Sequence, residues 1–212
     1  MDTVGSAIIV AAGLSTRMGD QDKMFALLAG RPILHHTVDA FVSSGLFQNV
    51  VVAVSGHRIE KASEVLSEYL LGDVEIIVGG KRRQDSVMNG LLNISAGGLV
   101  AIHDGARPCV TLDVLKRGID AGAETGAAVP GIPVTDTIKR VGKYNEVRET
   151  ICRSQHMLIQ TPQVFRYDAL KLAHERVDCD SSDDASMVEK TGRQVTVFEG
   201  DPDNIKITTV SD

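Results

Sequence analysis

Two cations, Arg17 and Lys23, stand on either side of Gly19 and follow a run of very small residues, Ala11-Ala12-Gly13. That combination suits crowded phosphate oxygens. Gly13 has no side chain, so a ligand can approach its backbone closely. Backbone N–H groups in such a turn cradle anionic oxygens. Ahead of the turn, Ala7-Ile8-Ile9-Val10 is an apolar, β-branched run that reads as a strand buried on both faces. A strand that opens into a small-residue turn and two cations is what a nucleoside triphosphate site requires. The stretch is neither Gly-x-Gly-x-x-Gly nor Gly-Lys-Ser/Thr, the commonest nucleotide fingerprints. An ordinary strand-to-loop turn with solvated charges is the alternative.

The pattern recurs at Gly79-Gly80-Lys81-Arg82-Arg83-Gln84-Asp85-Ser86. Here Lys81 to Arg83 read as solvated charges ahead of a helix that Asp85 or Ser86 would cap. A third stretch, His103-Asp104-Gly105-Ala106-Arg107-Pro108, follows an apolar run. An acidic residue such as Asp104 at a strand's C-terminal end is well placed to meet a metal ion. His103 reads as a packed or hydrogen-bonded strand-end residue. His35 and His36 are adjacent and point to different sides of a helix, which disfavours a shared metal.

These residues need a scaffold, and the spacing predicts one. Helices are expected over Pro32–Val42, Ile59–Leu71, Ser86–Leu92, Leu112–Glu124 and Tyr167–Arg176, with another opening at Asp183. Strands are expected at Val50–Val54, Val74–Val78, Leu99–Ile102, Ala127–Val129 and Gln194–Glu199, with Pro130 and Pro133 interrupting the chain after Val129. Such alternation implies an α/β fold with a mostly parallel sheet covered by helices. Residues 134–155 break the rhythm and read as a β-hairpin around Gly142-Lys-Tyr-Asn. An isolated hairpin is marginal in water, so a second subunit is the economical cover. Residues 1–212 are read as a single domain with a protruding arm at about 134–155.

Composition narrows the partners. The chain has 212 residues and a net charge of −6, which argues against nucleic acid. There is no Trp, so the core is aliphatic and base stacking is disfavoured. No apolar run is long enough to span a membrane. Cys109, Cys152 and Cys179 are far apart and odd in number, which fits free thiols in a reducing cytoplasm.

Further pieces stand in order along the chain: Asp136-Thr137-Ile-Lys139, Arg153, Thr161-Pro-Gln163, Asp183-Asp184-Ala-Ser and Asp203-Asn-Ile-Lys206-Ile-Thr208. Together with Ala11-Ala-Gly-x-x-x-Arg17-Met, Lys23, Gly79-Gly80 and the His103–Pro108 stretch, the chain resembles the 2-C-methyl-D-erythritol 4-phosphate cytidylyltransferase family over essentially its whole length. Ser182 stands where that family often has Thr, and Lys81 where an acidic residue is common. The family usually continues past Asp212 into a C-terminal helix. The resemblance implies a Rossmann-like nucleotidyltransferase fold, CTP and methylerythritol phosphate as substrates, Mg²⁺, and a homodimer clasped through the arm. It implies that Arg17 and Lys23 stabilise the transition state around the triphosphate. Ala11, Ala12, Gly13, Gly80, the Lys81 backbone and Ser86 would hold the nucleotide. Asp104 would lie by the metal and the substrate. Arg153, Lys206, Thr137 and Arg107 would hold methylerythritol phosphate, with Thr208 and Ser182 as weaker additions. Two rivals remain open on the sequence: a ribitol 5-phosphate cytidylyltransferase, and a catalytically silent nucleotide-binding regulatory domain.

Overall fold

The computed structural model describes residues 5–13, 22–69, 74–209 and 211–212. Its strands are β1 (Gly5–Val10), β2 (Leu27–Leu28), β3 (Arg31–Pro32), β4 (Phe47–Val54), β5 (Val74–Val78), β6 (Leu99–Asp104), β7 (Ala127–Pro133), β8 (Ile138–Val141), β9 (Val147–Ile151), β10 (Met157–Ile159), β11 (Gln163–Arg166) and β12 (Thr196–Glu199). The helices are α1 (Ile33–Ser43), α2 (Ile59–Tyr69), α3 (Arg83–Leu92), α4 (Leu112–Thr125), α5 (Tyr167–Arg176) and α6 (Asp184–Lys190).

One sheet organises the molecule. β5, β4, β1 and β6 are consecutive and mutually parallel. β11 runs antiparallel between β6 and β7, β10 extends that pairing along β7, and β12 closes the far side of β7 in parallel. β1 has neighbours on both sides, so its side chains alternate between two cores. Ala7 and Ile9 join Leu34, Val38 and Phe41 of α1 and Val114, Leu115 and Ile119 of α4. Ile8 joins Val87 and Leu91 of α3, Leu170 of α5 and Met187 of α6. Helices therefore cover both faces, which is why Ala7 to Val10 are apolar at every position.

Three local expectations change. β7 runs through Pro130 to Pro133. A proline lacks only the N–H, and the Pro130 carbonyl still accepts from the Gln160 N–H at 2.8 Å. α3 begins at Arg83, with Arg82 as its N-cap. Asp85 sits in the first turn, and its carboxylate accepts from the Arg82 N–H at 3.0 Å. Arg83 is not a solvated charge either, because its guanidinium turns towards Asp104 and Asp184.

The segment 134–155 does fold as a hairpin: among the described residues, β8 and β9 pair only with each other. Val141, Tyr144 and Val147 are 51%, 83% and 61% exposed, so the arm has no core of its own within this chain.

Candidate active site

Parallel strands align their C-terminal ends. Val10 of β1 is in register with Ala53 of β4 and with Asp104 of β6. The turns after β1, β5 and β6 therefore open at one edge of the sheet, where α/β proteins bind ligands. Short backbone bonds fix them there: Ala11 N–H to the Ala53 carbonyl at 2.8 Å, Gly79 N–H to Val54 at 2.7 Å, and Gly105 N–H to Val10 at 2.9 Å. Thr37 of α1 donates to the Gly105 carbonyl at 2.9 Å and braces the third turn from below.

A cavity of about 160 Å³ lies between these turns. Ala11, Ala12, Gly13, Lys23, Gly80, Lys81, Ser86, Asp104 and Lys206 all line it. The first and second turns touch where Gly79 faces Ala12: a Cβ at Gly79 would lie 2.5 Å from the Ala12 Cβ and 2.9 Å from the Ser86 Oγ. Ser86 is buried, and its hydroxyl accepts from the Gly80 N–H at 3.0 Å. Lys23 sits in a short helical turn, Lys23–Phe25, that Asp22 caps by accepting from the Met24 N–H. Its Nζ lies 3.4 Å from the Ile207 carbonyl.

Asp104 is the electrostatic centre. Lys206 Nζ approaches Oδ2 at 2.8 Å, Arg107 Nε approaches the same oxygen at 3.6 Å, and Arg83 Nε approaches Oδ1 at 3.5 Å. Burial works against the charged carboxyl, but Arg83, Lys206 and Arg107 outweigh it and hold the pKa well below the usual carboxylate range. Lys206 arrives there because residues 204–207 dock beside the third turn. The Ile207 N–H donates to the Ala106 carbonyl at 2.8 Å, and Arg107 Nη1 donates to the Asn204 carbonyl at 2.7 Å. Beneath Asp104, His103 is fully buried. Its Nε2 meets the Arg107 carbonyl at 3.1 Å, which can only accept, so the proton is assigned to Nε2. Nδ1 then accepts from the Thr161 hydroxyl at 3.0 Å, and that oxygen accepts from the Asp104 N–H at 3.1 Å. Burial pushes the His103 pKa down to about 4, so the ring is neutral and structural.

The whole chain bears on what such a site is. The family model described as 2-C-methyl-D-erythritol 4-phosphate cytidylyltransferase matches residues 6–212. The chain belongs to that family. A relative of the same name from Dehalococcoides mccartyi strain CBDB1 is 44% identical over 207 residues, 97% of this chain and 91% of its own. The solved 4-diphosphocytidyl-2C-methyl-D-erythritol synthase of Anaerococcus prevotii superposes with a TM-score of 0.87 at 26% identity, covering 99% of this chain and 94% of that one. The cytidylyltransferase structure from Thermus thermophilus gives a TM-score of 0.79 at 31% identity, covering 97% and 93%.

Not every residue singled out for the cytidylyltransferase site reaches the cavity. Arg17 lies outside the described residues. Arg107 is buried behind Asp104, with one nitrogen spent on the Asn204 carbonyl. Thr137 and Arg153 are exposed on the arm, where Arg153 donates to the Thr135 carbonyl. Thr208 is tied to Asp212, and Ser182 contacts Asp183. Conversely, Arg83 lines the cavity although its sequence context suggested solvent. Its partner Asp184 lies 101 residues away, so no local signal in the sequence pairs the two.

Proposed function

We infer that this chain transfers a cytidylyl group from CTP to 2-C-methyl-D-erythritol 4-phosphate, releasing pyrophosphate and giving 4-diphosphocytidyl-2-C-methyl-D-erythritol for the non-mevalonate isoprenoid pathway. The observation that carries this reading is a cavity at the sheet's C-terminal edge, lined by Lys23, Lys206 and two glycine turns, in a member of this family.

A phosphate oxygen of methylerythritol phosphate attacks the α-phosphorus of CTP, the new P–O bond forms, and the bond to the bridging oxygen of pyrophosphate breaks. The attacking oxygen is already anionic at neutral pH. No Ser, Cys or His nucleophile is required, and the neutral His103 fits that economy. Catalysis then rests on positioning and on charge stabilisation. In our reading Lys23, with Arg17, meets the triphosphate charge that develops as pyrophosphate leaves. Lys206 and Asp104 orient the methylerythritol phosphate, with Arg107 supporting Asp104 from behind. The backbone of Ala11 to Gly13, Gly80 and Lys81, with the Ser86 hydroxyl, surrounds the cytosine. Backbone carbonyls accept from its exocyclic amine and repel the uracil carbonyl.

Mg²⁺ fits this donor set. Among the described residues, Asp104 is the one carboxylate that lines the cavity, and no cluster of three or more His, Cys, Asp or Glu gathers. One carboxylate with substrate phosphates is how Mg²⁺ is commonly held. Bound there, the ion would neutralise phosphate charge.

We read the chain as one domain whose arm, residues 134–155, clasps a second copy. The exposed Val141, Tyr144 and Val147 support that reading, as do Met157 and Leu158 of β10, which are exposed beside the arm's base. Thr137 and Arg153 would then serve the partner's cavity. The three cysteines are exposed and free, which suits a reducing cytoplasm. Among the described residues no helix is long and apolar enough to cross a membrane.

The test is pyrophosphate release with CTP, methylerythritol phosphate and Mg²⁺. Equal turnover with UTP would refute the nucleotide assignment. Full activity in excess chelator would refute the metal.

A further inference from the structure

We propose that Arg83 is the positioning residue for Asp104, held in place by the buried Asp184–His174 pair; this role rests on the cytidylyl-transfer reading. Arg83 opens α3, and its guanidinium spans two carboxylates. Nη1 lies 2.5 Å from Asp184 Oδ2, and Nε lies 3.5 Å from Asp104 Oδ1. Asp184 is fully buried at the start of α6, and its other oxygen meets His174 Nε2 of α5 at 3.0 Å.

A carboxylate in that position is costly unless it is paired. Burial raises the Asp184 pKa, while Arg83 and His174 lower it by more, so Asp184 stays ionised. It is therefore a fixed anion that fastens Arg83 from behind. The contacts run from α5 through α6 and α3 to the end of β6.

Orientation follows from which oxygen each cation meets. Lys206 and Arg107 both pull on Oδ2 of Asp104, whereas among the described residues Arg83 is the ion-pair partner at Oδ1. Without Arg83 the carboxylate is drawn from one side only and can rotate towards Lys206. With it, both oxygens are held and the carboxylate plane is set. A planar, forked cation holds two acceptors in a fixed plane, whereas a lysine is a compact point charge with rotatable donors and sets no plane. The remaining nitrogen, Nη2, is buried with no hydrogen-bond partner among the described residues. A direct contact from Nη2 to substrate is thus the competing role.

The experiment is a double-mutant cycle in the full chain, with Arg83→Lys, Asp104→Asn and the pair, assayed by pyrophosphate release from CTP and methylerythritol phosphate. Arg83→Lys is expected to lose on the order of tenfold or more in kcat/KM, mainly through kcat, because the reacting groups are misplaced rather than unbound. In the Asp104→Asn background the same change should cost less than about twofold, since no carboxylate remains to be oriented. Losses that multiply would overturn the proposal, because Arg83 would then meet substrate itself or act only through folding. Wild-type kinetics for Arg83→Lys would overturn it as well. Should Arg83→Lys fail to fold, Asp184→Asn removes the anchor and enters the same cycle with the same expectations. If the wild-type chain releases no pyrophosphate from this substrate pair, the reading of the reaction fails, and that is visible before any variant is compared.

Discussion

Gly13→Ala and Gly79→Ala should both impair the use of CTP, for opposite structural reasons. At Gly79 an added Cβ would lie 2.5 Å from the Ala12 Cβ and 2.9 Å from the Ser86 Oγ. Carbon atoms in ordinary contact are about 3.5–4.0 Å apart, so the two turns must part by about 1 Å. Overpacking of that kind costs about 1–3 kcal/mol. In a chain of this size each kcal/mol lowers the melting temperature by about 2–4 °C. The same displacement loosens the Ser86 hydroxyl from the Gly80 N–H, so kcat/KM for CTP should fall by up to about a hundredfold. At Gly13 the added methyl meets no described atom within 4 Å and projects into open space at the wall of the cavity. Its stability should change by less than about 0.5 kcal/mol. KM for CTP should nonetheless rise, because the methyl occupies space the nucleotide needs. The assay pairs melting curves with steady-state kinetics at varied CTP and saturating methylerythritol phosphate. If Gly13→Ala melts as early as Gly79→Ala, or if Gly79→Ala keeps both its melting temperature and its KM for CTP, the placement of the nucleotide between these turns is wrong.

Three further outcomes are expected. Lys23→Ala should change stability by under about 1 kcal/mol and raise the barrier by about 2–4 kcal/mol, read by kinetics beside a melt; early melting with intact turnover would contradict the assignment. His103 is held neutral by burial with a pKa of about 4 against 6.5 when unfolded, so the unfolded chain binds its proton first. About 3 kcal/mol of stability should therefore be lost as pH falls from 6.5 to 4, and urea midpoints of His103→Gln should lack that part of the slope. Finally, on the proposed arm-clasped dimer, mixing the inactive Lys23→Ala and Arg153→Ala chains under subunit exchange should restore about a quarter of wild-type activity, because half the dimers would be mixed and each would carry one intact site. Confirmed exchange with no recovery would put Arg153 in its own chain's site.

The sequence by itself determined whatever is local or strictly ordered. The unbroken apolar, β-branched run Ala7 to Val10 marked a buried strand, and the alternation of strands and helices implied a mostly parallel, two-faced sheet. The small residues at Ala11–Gly13 and Gly79–Gly80 marked where a ligand could approach backbone. A mostly parallel sheet gathers the turns after its strands at one edge, so the turns that open at Ala11, Gly79 and Gly105 were expected to face one another. What only the tertiary structure decided is which charges are spent on each other. Arg82 and Arg83 are neighbours of the same type and both border the cavity, yet Arg82 is exposed and paired with Asp85 while Arg83 turns inward to Asp104 and Asp184. The difference lies in Asp184, 101 residues further on, and in Lys206, which reaches Asp104 only because residues 204–207 dock against Ala106. Periodicity reports which face a residue shares with its neighbours in sequence. It carries no information on the long-range field that leaves one arginine on exposed carboxylates and fastens the next between two buried ones, because that field is assembled only when distant elements pack.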